Sequence, residues 1–438
     1  MKKSLFAVAA ATAFTGAAQA QSSVTVYGIL DAGWAGGNQY VQQRTSSSAT
    51  QSVQRATFSQ FQASGGQSTN RLGFRGNEDM GGGLTAKFVF ETNINANVAT
   101  WAPEIRQAWA GIAKKGLGEA RIGTQNTLIW QIAAPMTVGQ LNNFTGSVIN
   151  SSSVGAPLSD AAGTATAGAF TNRAQRTLQV DSERMAGFQA KASYTLNNTN
   201  SSQTNNGTSS SSLGYSGGTN NFSGWGVSLD FTGVPKLRVA GAWQSFSGEN
   251  PYNATQTAVN AGGVPANVAG NSYTTGQPAS CATGGFTFQP LATNGALTAA
   301  AASNCVNVKD NQGIAAASYD FGILSAYVNY VTRKVESQQN GNAYLKRTAQ
   351  EVGVRFNITP TIQNFASIGN GRFSGYGVGN PTANFTGFQV GTSYLLSKRT
   401  NLYAIYGQVG TSNVTPTTSY TSTAQNTNNY GIGARHTF

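Results

Sequence analysis

Histidine and cysteine are almost missing from this chain of 438 residues, which holds one His and two Cys. A lone His436 leaves a hydrolytic triad or a zinc site without its usual imidazoles, so no catalytic, metal or cofactor residues are assigned. Charge is scarce too. Asp, Glu, Lys and Arg make up 10% of the residues, and the basic excess of +12 is scattered rather than clustered. That spacing argues against nucleic acid as a partner. Beyond the first 20 residues no apolar run approaches the length of a membrane-spanning helix.

What is present begins at the N-terminus. "MKKSLFAVAAATAFTGAAQA" runs from two lysines through an apolar stretch to Ala18-Gln19-Ala20. This is the order of a secretory signal peptide. We therefore expect residues 1–20 to be removed and 21–438 to form a single domain. Losing Lys2 and Lys3 takes the formal charge from +12 to +10.

Period two dominates the remainder. In "GFQAKASYTLN", Phe188, Ala190, Ala192, Tyr194 and Leu196 share one parity, while Gln189, Lys191, Ser193 and Thr195 share the other. "WGVSLDF" and "LTAKFVFETN" repeat the pattern. Such segments begin near residues 24, 68, 83, 104, 118, 174, 187, 222, 236, 311, 322, 347, 361, 384, 400 and 428. Short turns alternate with long connections rich in Ser, Thr, Asn and Gly. Sixteen strands, short turns on one side and long loops on the other predict an all-β, antiparallel transmembrane barrel. Lipid demands closure, because hydrocarbon offers edge amides no partner. A sixteen-stranded barrel is also too wide for side chains to fill.

Parity predicts the inner face. Its bases are Arg71, Arg75, Lys87, Arg106, Arg121, Lys191, Arg238, Arg355 and Arg435; its acids are Asp31, Glu91, Asp181, Asp230 and Glu351. Nine against five predicts a positive interior that favours anions. The third long connection, from about Gln125 to Ala174, carries Asp160 as its single acid and no Lys or Arg before Arg173. Its "IWQIAAPM" and "LNNFTG" are apolar enough to pack inward and line a constriction with the wall arginines. Extracellular exposure of this loop is the alternative.

Two weaker signals need weighing. "GYSGG" around Ser216 matches a hydrolase nucleophile pattern, yet it lies in a Ser/Gly-rich stretch with no helix after it. Cys281 and Cys305 fall in one long loop, and an exported pair can form a disulfide; two free thiols are the alternative. The enlarged loops also raise a second class of function, a surface-interaction barrel of adhesin or receptor type.

"SSVTVYGILDAGW", "NRLGFRGNEDMGGGLTAKFVFET", "RQAWAGIAKKGLGEARIGTQ", "SYDFGILSAYVNY", "LLSKRTNLYAIYGQ" and the terminal "GARHTF" resemble the general porins of the Gram-negative outer membrane, of beta-proteobacterial and neisserial type. The resemblance implies passive diffusion of small hydrophilic solutes and anions through a homotrimer, with no enzymatic step. It also implies a third loop folded into each lumen, with Arg71 and Arg106 among the eyelet arginines. Outer-membrane lipid, lipopolysaccharide and the barrel-assembly machinery follow as partners. The last would read Tyr430, Ile432 and Phe438 as an assembly signal. This chain departs from the family in having Gln179 and Thr124 at positions often occupied by Arg, and in an acid-poor third loop.

Overall fold

A computed structural model describes residues 23–44, 52–62, 65–94, 104–149, 173–205, 215–249, 308–337, 344–375, 382–412 and 422–438, with two short hairpins between 273 and 299. The expected signal peptide, Asp160, Cys281 and Cys305 lie outside the described residues.

The wall is built from β1 (Ser23–Arg44), β2 (Ser52–Gln62), β3 (Arg71–Gly81), β4 (Leu84–Asn93), β5 (Ile105–Lys114), β6 (Gly118–Asn126), β7 (Arg173–Ser182), β8 (Phe188–Asn205) and β9 (Tyr215–Phe231). It continues through β10 (Leu237–Glu249), β11 (Val308–Asp320), β12 (Leu324–Ser337), β13 (Tyr344–Thr359), β14 (Ile362–Gly375), β15 (Thr382–Leu395), β16 (Thr400–Ser412) and β17 (Ser422–Thr437). Each strand pairs antiparallel with its neighbour, and β17 returns to β1 with Asp31 opposite Arg435 and Trp34 opposite Ile432. The sheet is closed.

Seventeen strand segments fill sixteen wall positions. β1 pairs with β3 through Ser23–Ile29 and with β2 through Gly33–Gln43. β2 and β3 are thus the upper and lower parts of one interrupted strand. This corrects the sequence reading, which took the stretch after Trp34 as a loop and began the second strand near residue 68. The same correction applies to β8, β9 and β17, whose ladders extend well past the alternating segments. Outside hydrocarbon nothing selects apolar residues on the outer face, so the period-two signal fades while backbone pairing continues.

Large apolar residues on one parity are exposed. Ile122, Leu178, Trp225, Val352, Ile368 and Ile432 are among them, Ile122 at 62%. The opposite parity holds most of the buried polar residues, including Asp31, Arg106, Gln179, Gln244, Arg333 and Glu351. This inverts a soluble barrel and suits an outer face solvated by lipid. The "MGGG" turn after β3 puts Gly81, Gly82 and Gly83 at φ of 81°, 60° and 75°, a left-handed run that suits glycine.

Among the described residues between β6 and β7 lies one helix, α1 (Leu128–Met136). Thr127 caps it, its side chain accepting from the Trp130 N–H. Leu128, Ile129, Ile132, Ala133 and Met136 are buried. Facing them are β10 and β11, whose inner parity is apolar here: Ala240, Ala242, Ile314 and Ala316 are all buried. "RVAGAWQ" and "GIAAASY" are therefore apolar on both faces, lipid on one side and α1 on the other.

Candidate functional site

The inner-face charges fall into a chain of ion pairs running along the wall from β3 to β10. Arg106 Nε donates to Glu91 Oε1 at 2.7 Å, and both side chains are buried. Arg71 approaches the same carboxylate at 3.8 Å, and the Tyr27 hydroxyl donates to it at 3.1 Å. Arg106 also donates to Asn93 Oδ1 at 2.9 Å. A register shift between Glu91 and Thr92 produces this geometry. Glu91 faces Gln107 while Thr92 faces Ile105, leaving Arg106 as the bulged residue. Strict alternation would have put Arg106 on the lipid parity with Ala108 and Ala110; the bulge turns it inward.

The first cluster extends to Arg173 and Arg435. Arg71 lies within the electrostatic reach of Arg106, Arg173 and Arg435. Arg173 Nη1 is 3.7 Å from Glu104, whereas Arg173 Nε and Arg435 Nε find no acceptor among the described residues. Four guanidinium groups therefore converge where Glu91 is shared between two of them. Buried donors without acceptors are uncommon, and these two have the chemistry to meet an anion. Arg75 sits below the cluster over the Tyr27 ring, 5.4 Å from its centroid.

A second cluster joins Lys87 to Glu119 at 2.8 Å, Arg121 to Glu119 at 3.1 Å and to Asp181 at 3.4 Å, and Lys191 to Asp181 at 3.5 Å. Gln179 donates to Asp181 at 2.5 Å and accepts from Gln131 of α1 at 3.0 Å. Here the Gln179 amide bridges helix and wall. Further round, Arg238 Nη2 meets Asp230 at 2.5 Å.

Residues 138–149 contact the inner parity of β13 to β17, where glycines make room. A Cβ on Gly353 would meet Val138, one on Gly369 would meet Val148, and one on Gly407 would strike the Thr145 carbonyl. Glu351 Oε2 accepts from Ser147 Oγ and the Val148 N–H, both at 2.8 Å. Arg347 and Arg355 donate to the carbonyls of Val148 and Val138. Asn142 and Gln389 exchange amide hydrogen bonds at 2.7 and 2.9 Å. Glu351 and Arg355 thus hold this segment in place as well as facing inward.

A second segment, residues 65–70, touches the first. Asn143 donates its N–H to the Gly66 carbonyl and its amide to the Gly65 carbonyl, each at 2.9 Å. Asp31 fixes this segment to the wall, accepting from the Ser68 N–H at 2.7 Å and from the Tyr403 hydroxyl at 2.6 Å.

Several of these residues escaped sequence reasoning. Glu119 sits beside a turn. Asp310 was assigned to a loop, yet it pairs with Arg333 at 2.6 Å inside β11 and β12. Arg347 was only a strand start. The double-sided apolarity of β10 and β11 was the available signal that something covers their inner face. Ser216 of "GYSGG" lies on β9, not at a strand-to-helix turn. His436 instead meets Thr400 Oγ1 at 2.9 Å. The terminal residue pairs across the seam: Gly28 N–H donates to the Phe438 carbonyl at 3.1 Å, and Phe438 N–H to the Gly28 carbonyl at 3.2 Å.

Comparison with known proteins gives a consistent answer. A family model described as Gram-negative porin matches residues 7–415. An outer membrane porin protein of Bordetella pertussis is 37% identical over 133 residues, which is 29% of this chain and 34% of that protein. Outer membrane porin protein 32 of Delftia acidovorans is 44% identical over 94 residues, 22% of this chain and 23% of the relative. The chain thus matches a third or less of the length of these relatives. Among solved structures, an anion-selective porin from Comamonas acidovorans superposes with a TM-score of 0.57 at 18% identity, covering 95% of this chain and 100% of the other. OmpT, an outer membrane protein of Vibrio cholerae, gives 0.53 at 14% identity, covering 95% and 98%. These likenesses speak to the fold.

Proposed function

Since the chain belongs to the Gram-negative porin family, we propose that it is a passive channel of the outer membrane, admitting small hydrophilic solutes and ions with a mild preference for anions. The observation that carries the reading is the guanidinium cluster of Arg71, Arg106, Arg173 and Arg435 on the inner wall of a closed barrel, in which Glu91 is shared by Arg71 and Arg106 while Arg173 approaches Glu104 and Arg435 lies opposite Asp31. Nothing is transformed. A solute passes by diffusion, and fixed charge sets its local concentration.

In this reading the pore is narrowed by residues 127–149, which meet the wall through Gln131 on one side and through Glu351 and Arg355 on the other, with 65–70 as a shelf beside them. Neither α1 nor the segment after it carries a charge. Among the described residues the field therefore comes from the wall, a reason for a mild preference rather than a steep one. Arg71, Arg75, Lys87, Glu91, Arg106, Arg121, Arg173, Lys191 and Arg238 line the path. The anion preference also agrees with the description of the Comamonas relative as anion-selective.

Export by residues 1–20, assembly as a homotrimer, and recognition of Tyr430, Ile432 and Phe438 by the assembly machinery belong to the same proposal. So does a Cys281–Cys305 disulfide within the longest loop. Swelling of vesicles holding the purified protein tests the channel itself. Small neutral sugars should enter, with rates falling steeply as solute size grows; vesicles that do not swell in any sugar would refute it.

A further inference from the structure

Below the guanidinium cluster the inner wall carries two aromatic rings, each with an arginine against it. Arg75 lies over the Tyr27 ring at 5.4 Å from its centroid, and Arg121 over the Trp109 ring at 5.0 Å. Register brings the two pairs together. Arg75 is opposite Val89 and Val89 opposite Trp109, so the three stand side by side on β3, β4 and β5. One inward step nearer the short turns, Lys87 is opposite Gly111 and Gly111 opposite Arg121.

The two arginines are held differently. Arg121 reaches Glu119 at 3.1 Å and Asp181 at 3.4 Å, and donates to Gln125 at 2.7 Å. Arg75 is exposed, and no carboxylate lies within ion-pair distance of it among the described residues. A ring contact uses the flat face of a guanidinium and leaves its in-plane N–H donors to other partners. Val89 and Trp109 are half-buried on the inner parity, so what remains of each meets the lumen. Glycine flanks the indole on two sides, Gly123 opposite it and Gly111 beneath it.

The row therefore offers a cationic fork at one end, an aliphatic middle and an indole at the other. Two strand spacings separate β3 from β5, about 10 Å at the backbone. A carboxylate joined to an aromatic ring by two methylenes spans a similar distance. Resting on the channel reading above, we propose that this row is a subsite for aryl-alkanoate anions. The carboxylate sits on Arg75, the spacer crosses Val89, and the ring packs against Trp109. The subsite makes the channel discriminate among anions of equal charge and size by whether they carry an aromatic ring.

The test compares 3-phenylpropionate with 3-cyclohexylpropionate as blockers of chloride conductance in planar bilayers holding the full mature chain. Stacking and edge contacts of an aromatic ring should give phenylpropionate a half-blocking concentration about fivefold lower. Trp109→Leu should bring that ratio near one, while Trp109→Phe, which keeps a ring, should retain most of it. Arg75→Gln should weaken both acids by about tenfold and leave the weak effect of neutral 3-phenylpropanol as it was. Trp225→Leu, on the outward face of β9, should leave the ratio as in the native protein. Equal block by the two acids in the native protein would overturn the proposal. So would a ratio that survives Trp109→Leu, or block that is indifferent to Arg75→Gln. Arg75 is an exposed side chain, so its variant carries the test even where Trp109→Leu lowers the yield of folded barrel. Equilibrium dialysis of the two labelled acids against the detergent-solubilised protein reads the same ratio without current. Selective binding in a protein that gives no conductance steps refutes the channel only, and conductance without selectivity between the acids refutes the subsite only.

Discussion

Glu91 and Arg106 form a buried 2.7 Å ion pair on the inner wall, and a β-bulge is what brings the arginine round to its partner. The carboxylate also lies 3.8 Å from Arg71 and accepts from the Tyr27 hydroxyl, so it offsets part of the positive charge the cluster presents. Changing it tests the electrostatic account in both directions.

Glu91→Gln keeps the shape and removes the negative charge, so anion preference rises. Arg71→Ala with Arg106→Ala lowers it. Unit charges 4 Å apart interact by about 1 kcal/mol even in water, so the anion-to-cation permeability ratio should shift roughly two- to fivefold each way. Reversal potentials under a salt gradient give the readout. Shifts of the same sign in both variants would mean that the cluster does not set selectivity.

Glu351 holds residues 147–149 through two 2.8 Å hydrogen bonds. Hydrogen bonds to a charged group are worth about 1.5–3 kcal/mol, more than a neutral amide returns. Glu351→Gln should loosen this segment, raising open-channel noise and mean single-channel conductance. An unchanged trace would show that the segment is held elsewhere or does not narrow the path.

Tyr403→Phe removes the 2.6 Å donor to Asp31 and leaves a buried carboxylate with one fewer partner. Unsatisfied buried polar groups cost about 1–3 kcal/mol, more when charged. The variant barrel should unfold at lower temperature in detergent, read from its heat-dependent gel mobility. Residues 65–70 should become more open to proteolysis at the same time.

At the seam, a Cβ on Gly28 would lie 2.4 Å from Phe438 Cζ and 2.6 Å from the Arg71 carbonyl. Gly28→Val should therefore hinder closure of β1 on β17 and reduce the yield of folded barrel. Deleting Phe438 should slow assembly in cells more than it alters conductance of molecules that do fold. Efficient insertion without Phe438 would contradict its role as an assembly signal.

The barrel itself was legible because lipid imposes a strong rule on β8, β9 and β4, where alternation is nearly unbroken. Legibility ended where the rule ends. Ser52–Gln62 and the upper parts of β8 and β17 stand beyond hydrocarbon, so their strands read as loops. The sequence reading put Arg71, Glu91, Arg106 and Arg121 on the inner face, and Arg106 is there, but through a bulge rather than through unbroken alternation. The Asp31–Tyr403 contact joins residues 372 positions apart and becomes visible only when the cylinder closes. The inner apolarity of Ala240 and Ile314 was present in the sequence, though its meaning required α1 to be in place.

Planar bilayers with the purified protein under a salt gradient test the central claim most directly. The account predicts stepwise increases in conductance as single molecules insert, with a reversal potential directed toward anions. A protein that inserts yet gives no conductance steps would contradict it.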